Sequence, residues 1–234
     1  MTEQLVRVER DGPVAYVTLD RASEQNKVTY AMMRQLIAAL TEAGSADVLV
    51  LGAEGADFCL GRDQREKPEG VSLADNLTLI TEVNGLLDGY GGVSVGLVRG
   101  RALGFGSGLA MHTDITLASD DATFGFDEIT HGFPPLVVET FLADYLPRKA
   151  ALDLVLTGRH VGAAEALAMG MVSRVVPDAE LDAVAADVVA GLRAAPASGL
   201  SRAKTFLHEV GQVPPVDRAA YGVRELVSWR QANQ

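Results

Sequence analysis

The sequence predicts an α/β fold in which parallel strands are joined by crossover helices, with a helical C-terminal region behind them. A short buried strand over 47–52, read from its continuous apolar run, and a further strand over 93–98 alternate with segments of helical period. A glycine-rich turn follows the second strand, as turns at the carboxyl ends of parallel strands do. Beyond Pro135 the pattern is almost wholly helical.

Taken in order, Leu5 to Glu9 and Val14 to Leu19 flank Asp11-Gly12 and read as a β-hairpin. Thr29 opens a helix with Met33, Leu36, Ile37 and Leu40 on one face. Asp47 to Gly52 is a short buried strand, 72–90 a helix, and Val93 to Val98 the next strand. Helices are expected over 137–145, 148–156, 163–169, 179–193, 199–210 and 218–231, interrupted by one strand over 172–176. Ala194-Ala195-Pro196 breaks the helical run, which suggests a core over 1–195 and a C-terminal helical segment over 196–234.

The 234 residues and 48% hydrophobic content suffice for one medium domain with a packed core. A formal charge of −11 argues against nucleic-acid or anionic-membrane binding, since both need a positive surface. There is no run of eighteen apolar residues, so no membrane span is expected. The single cysteine, Cys59, has no internal partner, and no secretory segment is seen before Leu5; a cytoplasmic location is the expectation. His112, His160 and His208 lack metal-ligand spacing, so no metal is expected.

The stretch GRALGFGSGLAMHTD at 100–114 clusters Gly104, Gly106, Ser107 and Gly108 just before an apolar run. It lacks the lysine of a phosphate loop and the glycine spacing of a dinucleotide fingerprint. Ser107 is not centred in Gly-x-Ser-x-Gly, so it is not a nucleophile elbow. Two readings remain: close packing of a helix start, or a strand-to-helix turn whose free N–H groups face a developing oxyanion. A second stretch, ADFCLGRD at 56–63, follows the other buried strand and offers a second donor.

At these residues the chain resembles the crotonase superfamily, the enoyl-CoA hydratase and isomerase group. Leu19-Asp20-Arg21 through Asn26-Lys27-Val28, Phe58-Cys59-Leu60-Gly61-Arg62-Asp63, and Leu156-Thr157-Gly158 through Val175-Val176-Pro177 resemble family segments in order and at sensible spacing. The resemblance implies a ββα spiral core, an acyl-CoA substrate and no cofactor beyond its coenzyme A. It implies oxyanion donors at the backbone N–H groups of Arg62 and Phe105, where the family usually has smaller residues. Arg21, Lys27, Arg65 and Lys67 are the local cations available to the CoA nucleotide.

Hydratases of this family use two glutamates. The position of the first is Gly108 here, whereas Phe124-Gly125-Phe126-Asp127-Glu128 keeps the second. One base can remove an α-proton and return it to the γ-carbon, so a single-glutamate double-bond isomerase using Glu128 is the expected activity. The apolar run after Gly132 resembles isomerases in the same way. A hydratase, a decarboxylase, a carbon–carbon bond-forming or cleaving enzyme, and a non-catalytic thioester binder are the alternatives. His131, Glu139 and Gly106 are further candidates for the pocket. The family's closing C-terminal segment is not recognisable before Gln234, and the amphipathic stripe Leu200, Ala203, Phe206, Leu207, Val210 implies, with the resemblance, a homotrimer or a dimer of trimers.

Overall fold

The computed structural model describes residues 3–233. Strands β1 (Val6–Asp11) and β2 (Val14–Leu19) pair antiparallel across the expected turn. Thr29 caps α1 (Tyr30–Ala43), its hydroxyl accepting from the Met32 N–H at 3.2 Å. Met33, Leu36 and Leu40 are buried, and Ile37 packs partly buried against the same core.

From there the chain repeats a strand of a large sheet, a short extended piece in a second layer, and a helix. β3 (Val48–Ala53) leads through the bridged residues Cys59 and Arg62 to α2 (Leu73–Asp88). β4 (Val93–Val98) leads through β5 (Arg101–Leu103) to α3 (Phe105–Met111). β6 (Ile115–Ser119) leads through β7 (Thr123–Gly125) and a 3-10 turn at Glu128–His131 to α4 (Leu136–Tyr145). This repetition is the ββα spiral that the resemblance implied.

Helix α5 (Arg148–Thr157), strand β8 (His160–Gly162), helix α6 (Ala163–Met169), strand β9 (Arg174–Val176) and helix α7 (Leu181–Ala194) complete the body. The large sheet runs β1-β2-β3-β4-β6-β9, parallel except for the hairpin, and the second layer runs β5-β7-β8. Its sides are both covered: Leu49 and Leu51 face the main core, while Val48 and Val50 pack with Leu181, Ala185 and Val189 of α7. Burial on both faces is why these strands read as continuous apolar runs.

β5, β7 and β8 were not foreseen, and β9 is shorter than the strand expected over 172–176. Three-residue strands have no period to read; they exist because neighbours pair with them, as Gly125 does with His160. Helices α8 (Ala197–Gly211) and α9 (Arg218–Ala232) bury no residue. They are tethered by Lys204, whose Nζ donates to Tyr90 O at 2.8 Å, and by Phe206 stacked on Tyr221 at 5.5 Å between ring centres.

Candidate active site

The glycine stretch combines close packing at one residue with an N–H that has no backbone acceptor at its neighbour. Gly104 sits at φ +52° and ψ −118°, a conformation that a side chain resists, and it turns the chain from β5 into α3. That places the Phe105 N–H at the first helical position, where no intrahelical acceptor exists. Gly106 instead is close packing: a methyl group there would lie 2.1 Å from the Cys59 carbonyl oxygen. Ser107 is buried, with its hydroxyl donating to Ala102 O at 2.6 Å and accepting from the Gly125 N–H at 3.0 Å. It clips β5 to β7 and has no access to a substrate.

The second donor arises from a parallel bridge between Val28 and Arg62. Val28 N–H donates to Gly61 O at 2.9 Å and Asp63 N–H to Val28 O at 3.0 Å, so the Arg62 N–H points to the opposite edge. Among the described residues neither the Arg62 nor the Phe105 N–H has a backbone acceptor. The two turns touch: a methyl on Gly61, at φ +78°, would stand 3.2 Å from Leu103 O and 3.7 Å from the Phe105 nitrogen.

Glu128 completes the cluster. A methyl on Gly104 would meet the Glu128 Oε1 at 2.9 Å and would come 3.9 Å from the Gly61 Cα. The Glu128 Oε2 is sealed from solvent and has no hydrogen-bond partner among the described residues. Burial, the largest influence, pushes this carboxyl above the ordinary glutamate value. The 3-10 turn that carries it packs on Gly158, where a methyl would come within 2.6 Å of Thr130 Cγ2. The Leu-Thr-Gly motif thus supports the Glu128 turn from thirty residues away in the chain.

These groups line a cavity of about 760 Å³, within the range of small-molecule sites. Its wall is mostly apolar, with Leu73, Leu77 and Ile80 from α2 and Phe133, Val138 and Phe141 from the segment after Gly132. Gly108 also lines it, and a methyl there would stand 3.1 Å from Phe141 Cζ. Two other carboxylates border the cavity, and both are engaged. Asp63 accepts from Arg65 Nε at 2.9 Å and Arg21 at 3.1 Å, which holds it well below the usual carboxylate range. Asp127 lies 3.3 Å from His160 Nε2 and 3.7 Å from His131 Nε2.

Of the other candidates, His131 lines the cavity but stays exposed, and Lys27 and Arg65 stand on its border. Four other candidates lie outside the cavity lining. Gly106 packs on Cys59 and does not line the cavity. Glu139 is exposed on α4 and outside the lining, because the helix turns Val138 inward instead. Arg21 is a brace: it donates to Lys27 O at 2.7 Å and to Asp63, which leaves it off the cavity wall. Lys67 is exposed beyond the lining. Cys59 is buried, its thiol pushed up to about 12 by desolvation, as suits a packing residue. Among the described residues no group of three His, Cys, Asp or Glu could hold a metal ion.

Sequence reasoning passed over the Arg62 side chain and Asn84. The guanidinium of Arg62 lies against α2, donating to Asn76 O at 3.1 Å and to Asn76 Oδ1, with its Nε unpaired. Asn84 lines the cavity with its Oδ1 buried and unpartnered. A signal for Asn84 existed: it interrupts an otherwise apolar stripe at spacings of three and four on α2.

The family model for enoyl-CoA hydratase/isomerase matches residues 9–219. The chain belongs to that family. It is 32% identical over 182 residues to the enoyl-CoA hydratase EchA19 of Mycobacterium tuberculosis, covering 74% of this chain and 68% of that one. A probable enoyl-CoA hydratase of Rhizobium meliloti is 36% identical over 195 residues, covering 78% of this chain and 73% of the relative. Among solved structures, a putative enoyl-CoA hydratase from Thermobifida fusca in complex with CoA superposes with a TM-score of 0.86 at 31% identity, covering 98% of this chain and 93% of the other. The same holds for one in complex with acetoacetyl-CoA, with a TM-score of 0.86 at 30% identity over 98% and 96% of the two chains. The protein is therefore a crotonase-fold enzyme of the hydratase/isomerase family.

Proposed function

We propose that this enzyme binds acyl-CoA thioesters and moves a carbon–carbon double bond with Glu128 as its single base. The observation that carries the reading is the asymmetry of the cavity. Glu128 is the one bordering carboxylate without a cationic or histidine partner, and the position where the family's hydratases place a second glutamate is Gly108, faced by the Phe141 ring. The thioester oxygen would accept from the Arg62 and Phe105 N–H groups, each such donor contributing about 3 kcal/mol to an enolate-like transition state. Glu128 would take the α-proton and deliver it to the γ-carbon, with no water added. Lys27 and Arg65 at the border suit the phosphates of coenzyme A. The relatives bound to CoA and acetoacetyl-CoA support the choice of ligand.

Hydration is the second reading, favoured by the hydratase names of the relatives. The two separate on substrate: turnover of a trans-3-enoyl-CoA into its trans-2 isomer supports isomerisation. Hydration of a trans-2-enoyl-CoA at comparable kcat/KM, with no isomerisation, would replace it. We also infer that the open sides of α8 and α9, where Leu207, Val223 and Leu226 are exposed, face further copies of this chain in a trimer. Light scattering that finds only monomer at micromolar concentration would reject this assembly.

A further inference from the structure

The cavity-facing side of α2 carries Leu73, Leu77, Ile80 and Asn84 at spacings of four, three and four, a single helical stripe. Exposure falls along it from 74% at Leu73 and 36% at Leu77 to 8% at Asn84. The stripe thus descends from the mouth of the cavity to its closed end, a distance of about 16 Å at the rise of an α-helix. The same cavity is lined by the apolar Val138 and Phe141, which are themselves buried. A leucine at position 84 would continue the stripe without stranding an amide. The chain instead puts there a side chain whose Oδ1 is sealed from water and has no protein partner.

We propose that Asn84 is a specificity residue whose Oδ1 accepts a hydrogen bond from a neutral donor, a hydroxyl, carried by the acyl chain beyond its reacting carbons. The inference rests on the acyl-thioester reading of the cavity and narrows it to acyl groups with polar substituents. Neutrality follows from the donor set: an amide offers one acceptor and two donors and no charge. The cation on this wall, Arg62, is held at Asn76, eight residues and about 12 Å nearer the mouth. Position follows from the same spacing. The Arg62 backbone and Glu128 handle the thioester end, and Asn84 lies further along the helix than the residue to which Arg62 is tied.

The test is calorimetric binding of hexanoyl-CoA and its 4-, 5- and 6-hydroxy derivatives to the wild type, Asn84→Leu and Asn84→Ser. At least one hydroxy derivative should bind the wild type about tenfold more tightly than hexanoyl-CoA. Asn84→Leu should abolish that preference while binding hexanoyl-CoA at least as well. Asn84→Ser, which keeps a hydrogen-bonding group and guards against a leucine variant that fails to fold, should retain part of it. Equal binding of all four thioesters by the wild type overturns the proposal and leaves the acyl-CoA reading standing. A preference that survives in Asn84→Leu overturns it too. If neither CoA nor hexanoyl-CoA binds the wild type, the acyl-CoA reading fails and this one falls with it.

Discussion

On one flank of the cavity Glu128 holds against Gly104 a carboxyl whose Oε2 has no partner among the described residues; on the other, Gly108 presents no side chain and Phe141 Cζ stands 3.1 Å from where a methyl would begin. The first flank keeps a titratable group and desolvates it. The second has none, and its aromatic ring occupies the approach. On the proposed mechanism a proton removed at the first flank returns through Glu128, since the second flank carries no acid. The difference teaches that the two flanks can carry different chemistry within one fold, because they are held by different contacts. Glu128 rests on Gly104 and Gly158, and Gly108 on Phe141.

The comparison breaks most directly at Glu128. Glu128→Gln keeps the shape and removes the proton acceptor, so α-proton exchange on a bound acyl-CoA should fall by about 10²–10⁴-fold while binding survives. Exchange at the wild-type rate, followed by deuterium incorporation, would dismiss the single-base mechanism. A smaller loss is expected from Gly104→Ala. The positive φ there strains any side chain by about 1–3 kcal/mol, and the new methyl meets Glu128 Oε1 at 2.9 Å. Turnover should drop roughly ten- to a hundredfold, by the same conversion of free energy into rate. Circular dichroism should show the fold retained.

Two further measurements sharpen the asymmetry. Because burial raises the pKa of Glu128, the acid limb of kcat/KM should lie above the ordinary glutamate value, activity being lost as pH falls through it. That limb should vanish from the residual activity of Glu128→Gln. The same shift affects stability. With the folded pKa above the unfolded one, the unfolded chain holds fewer protons between the two values, and stability declines as pH rises through that window. Glu128→Gln should therefore raise Tm at neutral pH. The gain should disappear below both pKa values; an unchanged Tm at neutral pH would contradict the desolvated carboxyl. The smallest effect belongs to the empty flank. Gly108→Ala requires only that the edge of Phe141 give way, so activity should stay within about threefold and stability within about 1 kcal/mol. A large loss of turnover there would mean that the Gly108 flank takes part in the chemistry.

Much of this was legible in the order of residues. The apolar runs at Val48–Ala53 and Val93–Val98 are strands buried on both faces, and the Thr29 cap and Pro196 break mark helix ends through local chemistry alone. The glycine clustering marks the Gly104 turn, whereas Glu128 is named by the family resemblance of its segment rather than by local patterning; the structure places both on the cavity. What the order of residues could not decide was which side chains share a space. Arg21 and Glu139 have the chemistry of pocket groups; Arg21 is drawn away by Asp63, and Glu139 by the helical phase that buries Val138. The strands β5, β7 and β8 exist only as partners of one another and, for β5, of the bridged Cys59, and the orphaned Oδ1 of Asn84 becomes visible only when the chain has folded round it. Capping, periodicity and backbone conformation are properties of neighbours in the chain. Burial, pairing and a shifted pKa depend on groups brought together from distant parts of it, and these were settled by tertiary packing.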